Sequence, residues 1–295
     1  MTDLEFGLTL PQWSPLAGPD AYRPFARTAE EVGFDWVGRG DHVVFPVGEQ
    51  GWSAETPTYE QFSCLSFAAA VTEEITIGTH ITVMVHRHPV LLAKQALTLD
   101  ALSEGRFEFG IGVGWLSDEF EVLDVPFEQR GARTDEFLDL FEQVCADGIV
   151  AFEGPFHEFD ETGFYPRPVQ DGGPPILLGG SSSAAFRRAA EYGEGWALPG
   201  SPGDIREGRE RLLRAWEDEE RDGDPVVVAE QSAHLGEHPD EDGPLVGSRE
   251  DVLEGIDAYR EAGATRVTLG ITGVDTVEEL LDQVERFGED VLASY

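Results

Sequence analysis

ITIGTHITVMVHRHPVLLAKQALTLDALSEGRFEFGIGVGW, residues 75–115, reads as a buried strand, a polar loop, a helix and a second buried strand ending in alternating glycines. That order makes a right-handed β-α-β crossover with parallel strands. The crossover sets the loop at 85–88 and the glycines Gly110, Gly112 and Gly114 at the carboxyl ends of adjacent strands. Parallel-sheet enzymes carry their chemistry at those ends.

The same alternation runs outward in both directions. Strand-like runs at 4–10, 35–38, 75–83, 107–113, 176–178, 196–198, 226–230 and 266–270 are each followed by a helical pattern. The helices are expected at 21–32, 59–71, 89–102, 133–147, 183–192, 204–222, 249–262 and 277–292, the fourth of them from Phe137, Leu138, Phe141 and Val144 at helical spacing. Eight strand-helix units in 295 residues fit one (β/α)8 TIM barrel, an α/β fold, better than an open doubly wound sheet. Residues 149–170 break the rhythm: VAFEGPFHEF looks like a hairpin and FYPRPVQ like an extended connector. This stretch is read as an insertion between helix 4 and strand 5, inside one domain covering 1–295. A Gly-, Pro- and Trp52-containing loop at 45–57 and an acidic loop at 236–247 complete the outline.

Net charge is −38, from 58 acidic and 20 basic residues, with Lys94 the only lysine. The acids are spread along the chain, so the plain reading is a carboxylate surface adapted to a salt-rich cytoplasm, where counterions screen the self-repulsion. Such a surface disfavours nucleic acid or an anionic membrane as partner. Cys64 and Cys145 stand alone without metal-knuckle or disulfide spacing. The start, MTDLEFGLTLPQW, lacks a cationic and apolar leader, and no apolar run approaches ~20 residues, so a cytoplasmic protein is expected.

Several residues could carry chemistry. GIGVG is one residue short of the dinucleotide-binding spacing; its bare backbone suits either a flat ring lying on the strand end or a tightly packed turn. Asp41-His42 lies just past the second strand, where an imidazole can hydrogen-bond or exchange a proton with substrate, or merely pack or cap. His86-Arg87-His88 resembles an H-x-H metal pair, but a barrel hydrolase needs that pair on the first strand, so no metal is expected. PPILLGGSSSAAF, with Gly179, Gly180 and Ser181, is a strand, a turn and a helix start that suits a phosphate. Its serines equally suit an N-cap. Trp115 ends the fourth strand as an indole at the rim that could stack on a ligand. Arg130, Arg133 and Glu136 could form a local ion cluster.

The pieces GLTLPQW, GFDWVGRGDH, residues 77–115, FYPRPVQ, PPILLGGSS and EGWAL, in this order, resemble the bacterial-luciferase-like superfamily of flavin and deazaflavin oxidoreductases, and most of all its coenzyme F420-dependent branch. The resemblance covers nearly the whole chain. It implies a cofactor ring across the carboxyl end of the barrel, backed by a non-proline cis peptide at His80–Ile81 and by Thr82. By the same matching Asp41 and His42 lie near the ring, Gly112 and Gly114 pass under it, and Gly179, Gly180 and Ser181 hold the phosphate. His42 and Trp115 would be the residues facing the chemistry. Sugar-phosphate dehydrogenases of the branch carry a glutamate where this chain has Trp115, which leaves the small-molecule substrate open. The expected reaction is hydride transfer with F420, and the alternative is reduced FMN acting as a monooxygenase. The two differ in the F420 oligoglutamate tail, for which Arg39, Arg87 and Arg167 are candidate cations. A homodimer is implied as well.

Overall fold

A computed structural model describes residues 4–45, 53, 55–237 and 243–295. In chain order its strands are β1 (Glu5–Thr9), β2 (Trp36–Arg39), β3 (Thr76–Thr79), β4 (Thr82–Val83), β5 (Phe107–Gly112), β6 (Ile149–Glu153), β7 (Glu158–Gly163), β8 (Ile176–Gly179), β9 (Gly195–Pro199), β10 (Val226–Leu235), β11 (Val246–Gly247) and β12 (Arg266–Ile271). The helices are α1 (Pro19–Glu31), α2 (Gln61–Ala69), α3 (Pro89–Leu102), α4 (Ser117–Val122), α5 (Arg130–Ala146), α6 (Ser183–Tyr192), α7 (Pro202–Asp218), α8 (Arg249–Ala262) and α9 (Val277–Asp290). Strands β1, β2, β3, β5, β8, β9, β10 and β12 pair in parallel in that order, and β12 returns to β1, closing an eight-stranded barrel.

The elements follow from local chemistry. All six residues of β5, FEFGIG, are buried, as expected of a parallel strand covered on both faces. Capping boxes start α7 (Ser201 with Asp204), α8 (Ser248 with Asp251) and α9 (Thr276 with Glu279). Inside the barrel the indole of Trp36 fills the space left by two facing glycines. A Cβ on Gly38 would lie 2.0 Å from Trp36 Cη2, and one on Gly78 2.2 Å from Nε1. At the amino-terminal end, Arg266 donates to both oxygens of buried Glu108 at 2.7 and 3.1 Å and to Glu5 at 2.9 Å.

The insertion is the antiparallel hairpin β6–β7. Its tip is held by Glu136, which accepts from the amides of Phe156 and His157 at 2.6 and 2.9 Å and lies 2.7 Å from His157 Nδ1. The expected cluster of Arg130, Arg133 and Glu136 is therefore corrected: Arg130 donates to the Phe127 carbonyl and Arg133 to the Gln129 side chain. Their helical spacing is right, but each has a nearer partner.

Element boundaries also differ from the sequence reading: α7 ends at Asp218 rather than 222, and β10 runs on to Leu235. The run 75–83 is split into β3 and β4, and a short helix, α4, precedes α5, which itself begins three residues early. Six residues are too few for helical periodicity to register in sequence. Most of the loop at 45–57, including Trp52, and residues 238–242 of the acidic loop lie outside the described residues, as do residues 1–3. Among the described residues no helix is long and apolar enough to cross a membrane. Cys64 and Cys145 are free thiols, both buried.

Candidate functional site

The carboxyl ends of the barrel strands gather most of the residues singled out in sequence. The break between β3 and β4 is the His80–Ile81 peptide, which is cis, as the resemblance implies. The Ile81 side chain runs across the neighbouring strand ends. A Cβ on Gly110 would lie 2.7 Å from Ile81 Cγ2, one on Gly112 3.1 Å from Cδ1, and one on Gly179 1.7 Å from Cδ1. The glycines therefore seat this isoleucine, the close-packing account of GIGVG, and Ile81 becomes the surface that a flat ring would meet. Gly114 is held elsewhere: it has φ +78° and packs against Val83 and Phe120.

Past β2 the chain is pinned residue by residue. Asp41 is buried and accepts from the Val83 amide at 2.9 Å and from both terminal nitrogens of Arg87 at 2.6 and 2.8 Å. Arg87 also donates to Glu60 at 2.8 Å. Burial would lower the Arg87 pKa, but the two carboxylates outweigh it and hold the guanidinium above its ordinary value. Asp41 thus ties the rim of β2 to the start of α3. Thr82 is buried, with its hydroxyl donating to Gln61 at 2.8 Å.

His42 stands at the centre of an aromatic wall. Its ring lies edge-on to Trp13 at 5.0 Å and to Trp115 at 5.7 Å, and tilted to Phe45 at 5.2 Å, centroid to centroid. Trp115 is 53% exposed and forms the outer side of this wall, as a rim indole should. His42 Nδ1 lies 2.7 Å from Glu119 Oε2, and the amides of Val43 and Val44 donate to Glu119 Oε1 at 2.7 and 3.3 Å. Burial alone would raise the Glu119 pKa, yet the hydrogen bonds from His42 and the Val43 amide hold it below the ordinary glutamate range.

Across the barrel, Glu230 in the middle of β10 accepts from Thr9 at 3.2 Å and lies 3.4 Å from His80 Nε2. Between the two sides lies the turn after β8. Gly180 has φ +106°, its carbonyl accepts from Trp196 Nε1 at 2.6 Å, and the Ser181 carbonyl accepts from Arg211 at 2.8 Å. Ser182 caps α6 by accepting from the Ala185 amide at 3.2 Å. The first amides of α6 have no preceding turn to bond to, so this loop can hold an anion.

The structure thus sets His42 beside Trp115 and seats Ile81 against Gly112 and Gly179, with Gly180 in the turn that follows β8 and with Asp41 and Thr82 buried behind. It does not bring together the three arginines proposed for a tail. Arg39 is fully buried, donating to the Tyr22 hydroxyl and Tyr59 carbonyl; Arg87 is taken by Asp41 and Glu60; Arg167 donates to the carbonyls of Val144 and Cys145 beside the hairpin. The H-x-H pair diverges: His86 packs on Phe120, and His88 caps α3 by accepting from Val90. Among the described residues no group of three or more His, Cys, Asp or Glu could hold a metal ion. Sequence reasoning assigns no proton role to Asp118 or Glu119, since nothing within SDEF marks Glu119 as bound to a residue 77 positions away.

Comparison with known proteins extends this picture. Residues 8–242 match the family model for luciferase-like monooxygenases. An uncharacterized protein of Mycobacterium tuberculosis is 31% identical over 215 residues, 69% of this chain and 76% of its own length. The F420-dependent glucose-6-phosphate dehydrogenase of Microbacterium testaceum is 30% identical over 239 residues, 79% of this chain and 68% of its own. Among solved structures, an F420-dependent secondary alcohol dehydrogenase in complex with an F420-acetone adduct superposes with TM-score 0.84 at 18% identity, covering 99% of each chain. The monooxygenase RslO1 from Streptomyces bottropensis superposes with TM-score 0.83 at 23% identity, covering 99% of this chain and 100% of its own. At those identities the two structures speak for the fold.

Proposed function

The chain belongs to the luciferase-like monooxygenase family, a family of oxidoreductases, and from that premise we propose that it transfers a hydride between coenzyme F420 and a small organic substrate. The observation that carries the proposal is His42, held by Glu119 at 2.7 Å beside the indole of Trp115. Hydride transfer to or from a carbon that bears a heteroatom needs a proton moved at that heteroatom, and an imidazole fixed at the rim can move it. When bound, the deazaflavin supplies the hydride acceptor or donor. Ile81 and the strand ends under it would support its ring, and the amides after Gly179 and Gly180 would hold its phosphate. Two relatives named as F420-dependent dehydrogenases support the cofactor choice. A cytoplasmic homodimer is part of the same reading.

A second reading, reduced FMN activating O₂, draws on the arginines. Because Arg39, Arg87 and Arg167 do not converge, they form no shared cationic patch for an oligoglutamate tail, and FMN ends at its phosphate. Fluorescence titration of the purified protein with F420 and with FMN, in molar KCl, separates the two. Micromolar binding of F420 is expected; FMN binding alone would replace the cofactor, and binding of neither would end the enzyme reading.

The charge leads to a second expected result. With a net charge of −38, the melting temperature should climb as KCl is raised from ~0.1 to ~1 M, because the Debye length shrinks from ~10 to ~3 Å. A melting temperature flat across that range would remove the adaptation to salt.

A further inference from the structure

Glu119 lies under the aromatic wall, 1% exposed, on a short helix that sequence periodicity does not reveal. Its two oxygens are used differently. Oε1 accepts from the Val43 and Val44 amides, which fixes the carboxylate against the chain that carries His42, and Oε2 meets His42 Nδ1 at 2.7 Å. A carboxylate accepts hydrogen bonds only, so the proton between the two groups belongs to Nδ1. We propose that Glu119 is the positioning residue of the reaction: it holds His42 as the Nδ1–H tautomer and supports its protonated form, so that the proton exchanged with the substrate is carried by Nε2. This rests on the hydride-transfer reading above. With a deazaflavin bound, which would take up or give the hydride, His42 Nε2 would accept the proton released from the substrate heteroatom in the oxidative direction and return it in the reductive one.

The geometry matches the arrangement in which a buried acid orients a catalytic imidazole without itself taking the proton. A carboxylate touching the ring stabilises the imidazolium, whereas an amide in its place does not. The charged groups around the pair are few. His86, from the turn before α3, influences both Glu119 and His42, and Asp41 and Arg87 lie behind it as a mutually neutralised pair. The Glu119 charge is retained to low pH, because the His42 and Val43 hydrogen bonds outweigh its burial.

The test is Glu119→Gln beside Glu119→Asp, read by steady-state kinetics and by ¹⁵N NMR of the histidine rings. Glu119→Gln should lower kcat roughly 10- to 100-fold, with KM and F420 affinity held within about twofold. The Nδ1–H preference of the His42 ring should weaken in the ¹⁵N spectrum. Glu119→Asp should recover part of kcat and most of the Nδ1–H preference, since it keeps the carboxylate. Equal loss in both variants, or an unchanged Nδ1–H preference in Glu119→Gln, would overturn the proposal. So would a parallel fall of kcat, KM and cofactor affinity, the mark of a purely structural clamp. The NMR result needs no cofactor, so failure of the wild type to bind F420 would refute the hydride-transfer reading while leaving the Glu119–His42 coupling separately decided.

Discussion

His42→Ala is expected to lower turnover by roughly 10²- to 10⁴-fold while leaving the fold intact. Truncation removes the imidazole that stands between Trp13, Phe45 and Trp115 and leaves the buried Glu119 carboxylate with its two amide donors. Because those amides remain, the loop from Asp41 to Val44 should keep its course, and F420 affinity should change far less than kcat. The measurement is kcat against cofactor dissociation constant, with circular dichroism to confirm folding. Turnover within twofold of wild type would remove His42 from the chemistry and return it to a packing role. A loss of binding as large as the loss of turnover would make it a cofactor contact instead.

Arg266→Met is expected to cost about 3–5 kcal/mol of stability. Arg266 and Glu108 are both buried at the amino-terminal end of the barrel and bonded through two nitrogens and two oxygens. Removing the guanidinium strands Glu108 as an uncompensated buried charge; Glu5, the third partner, is more exposed and contributes less. Burial would lower the Arg266 pKa, and the two carboxylates hold it above its ordinary value instead, so the guanidinium keeps its charge. The companion double substitution Arg266→Met with Glu108→Leu should recover much of the loss, because two apolar groups need no pairing. Thermal melts in fixed salt decide the matter. A single variant as stable as wild type would mean that water reaches Glu108, and that the barrel floor is open.

The barrel was legible because its information is local. Eight apolar runs separated by helical spacings are each written within about ten residues, and the insertion showed itself by breaking that rhythm. The resemblance carried by HITVMVHRHP pointed to the cis bond at His80–Ile81, which periodicity could not have done. The places of His42, Trp115 and Gly179 at or just past strand ends were also legible, because a (β/α)8 chain order tells which residues reach the carboxyl rim.

What was not legible is pairing. Arg87 looks in sequence like a rim cation ready for a ligand, yet it is consumed by Asp41, 46 residues away. Arg39 looks equally available and is wholly interior. Glu136 looks like a member of an arginine cluster on its own helix, and instead clamps a hairpin tip 20 residues on. In each case charge and spacing are visible, while the partner is chosen only when the chain closes.

The sequence by itself determined the order of strands and helices, the rim on which chemistry can occur, and the acidity of the surface. These depend on periodicity, chain direction and composition, all of which can be counted along one dimension. The tertiary structure alone decided which acid meets His42, which guanidiniums are spent on carboxylates, and that Gly110 and Gly112 make room for Ile81. Those outcomes depend on distances between residues tens of positions apart, and such distances come into being only when the barrel closes and each buried polar group must take the nearest partner that satisfies it.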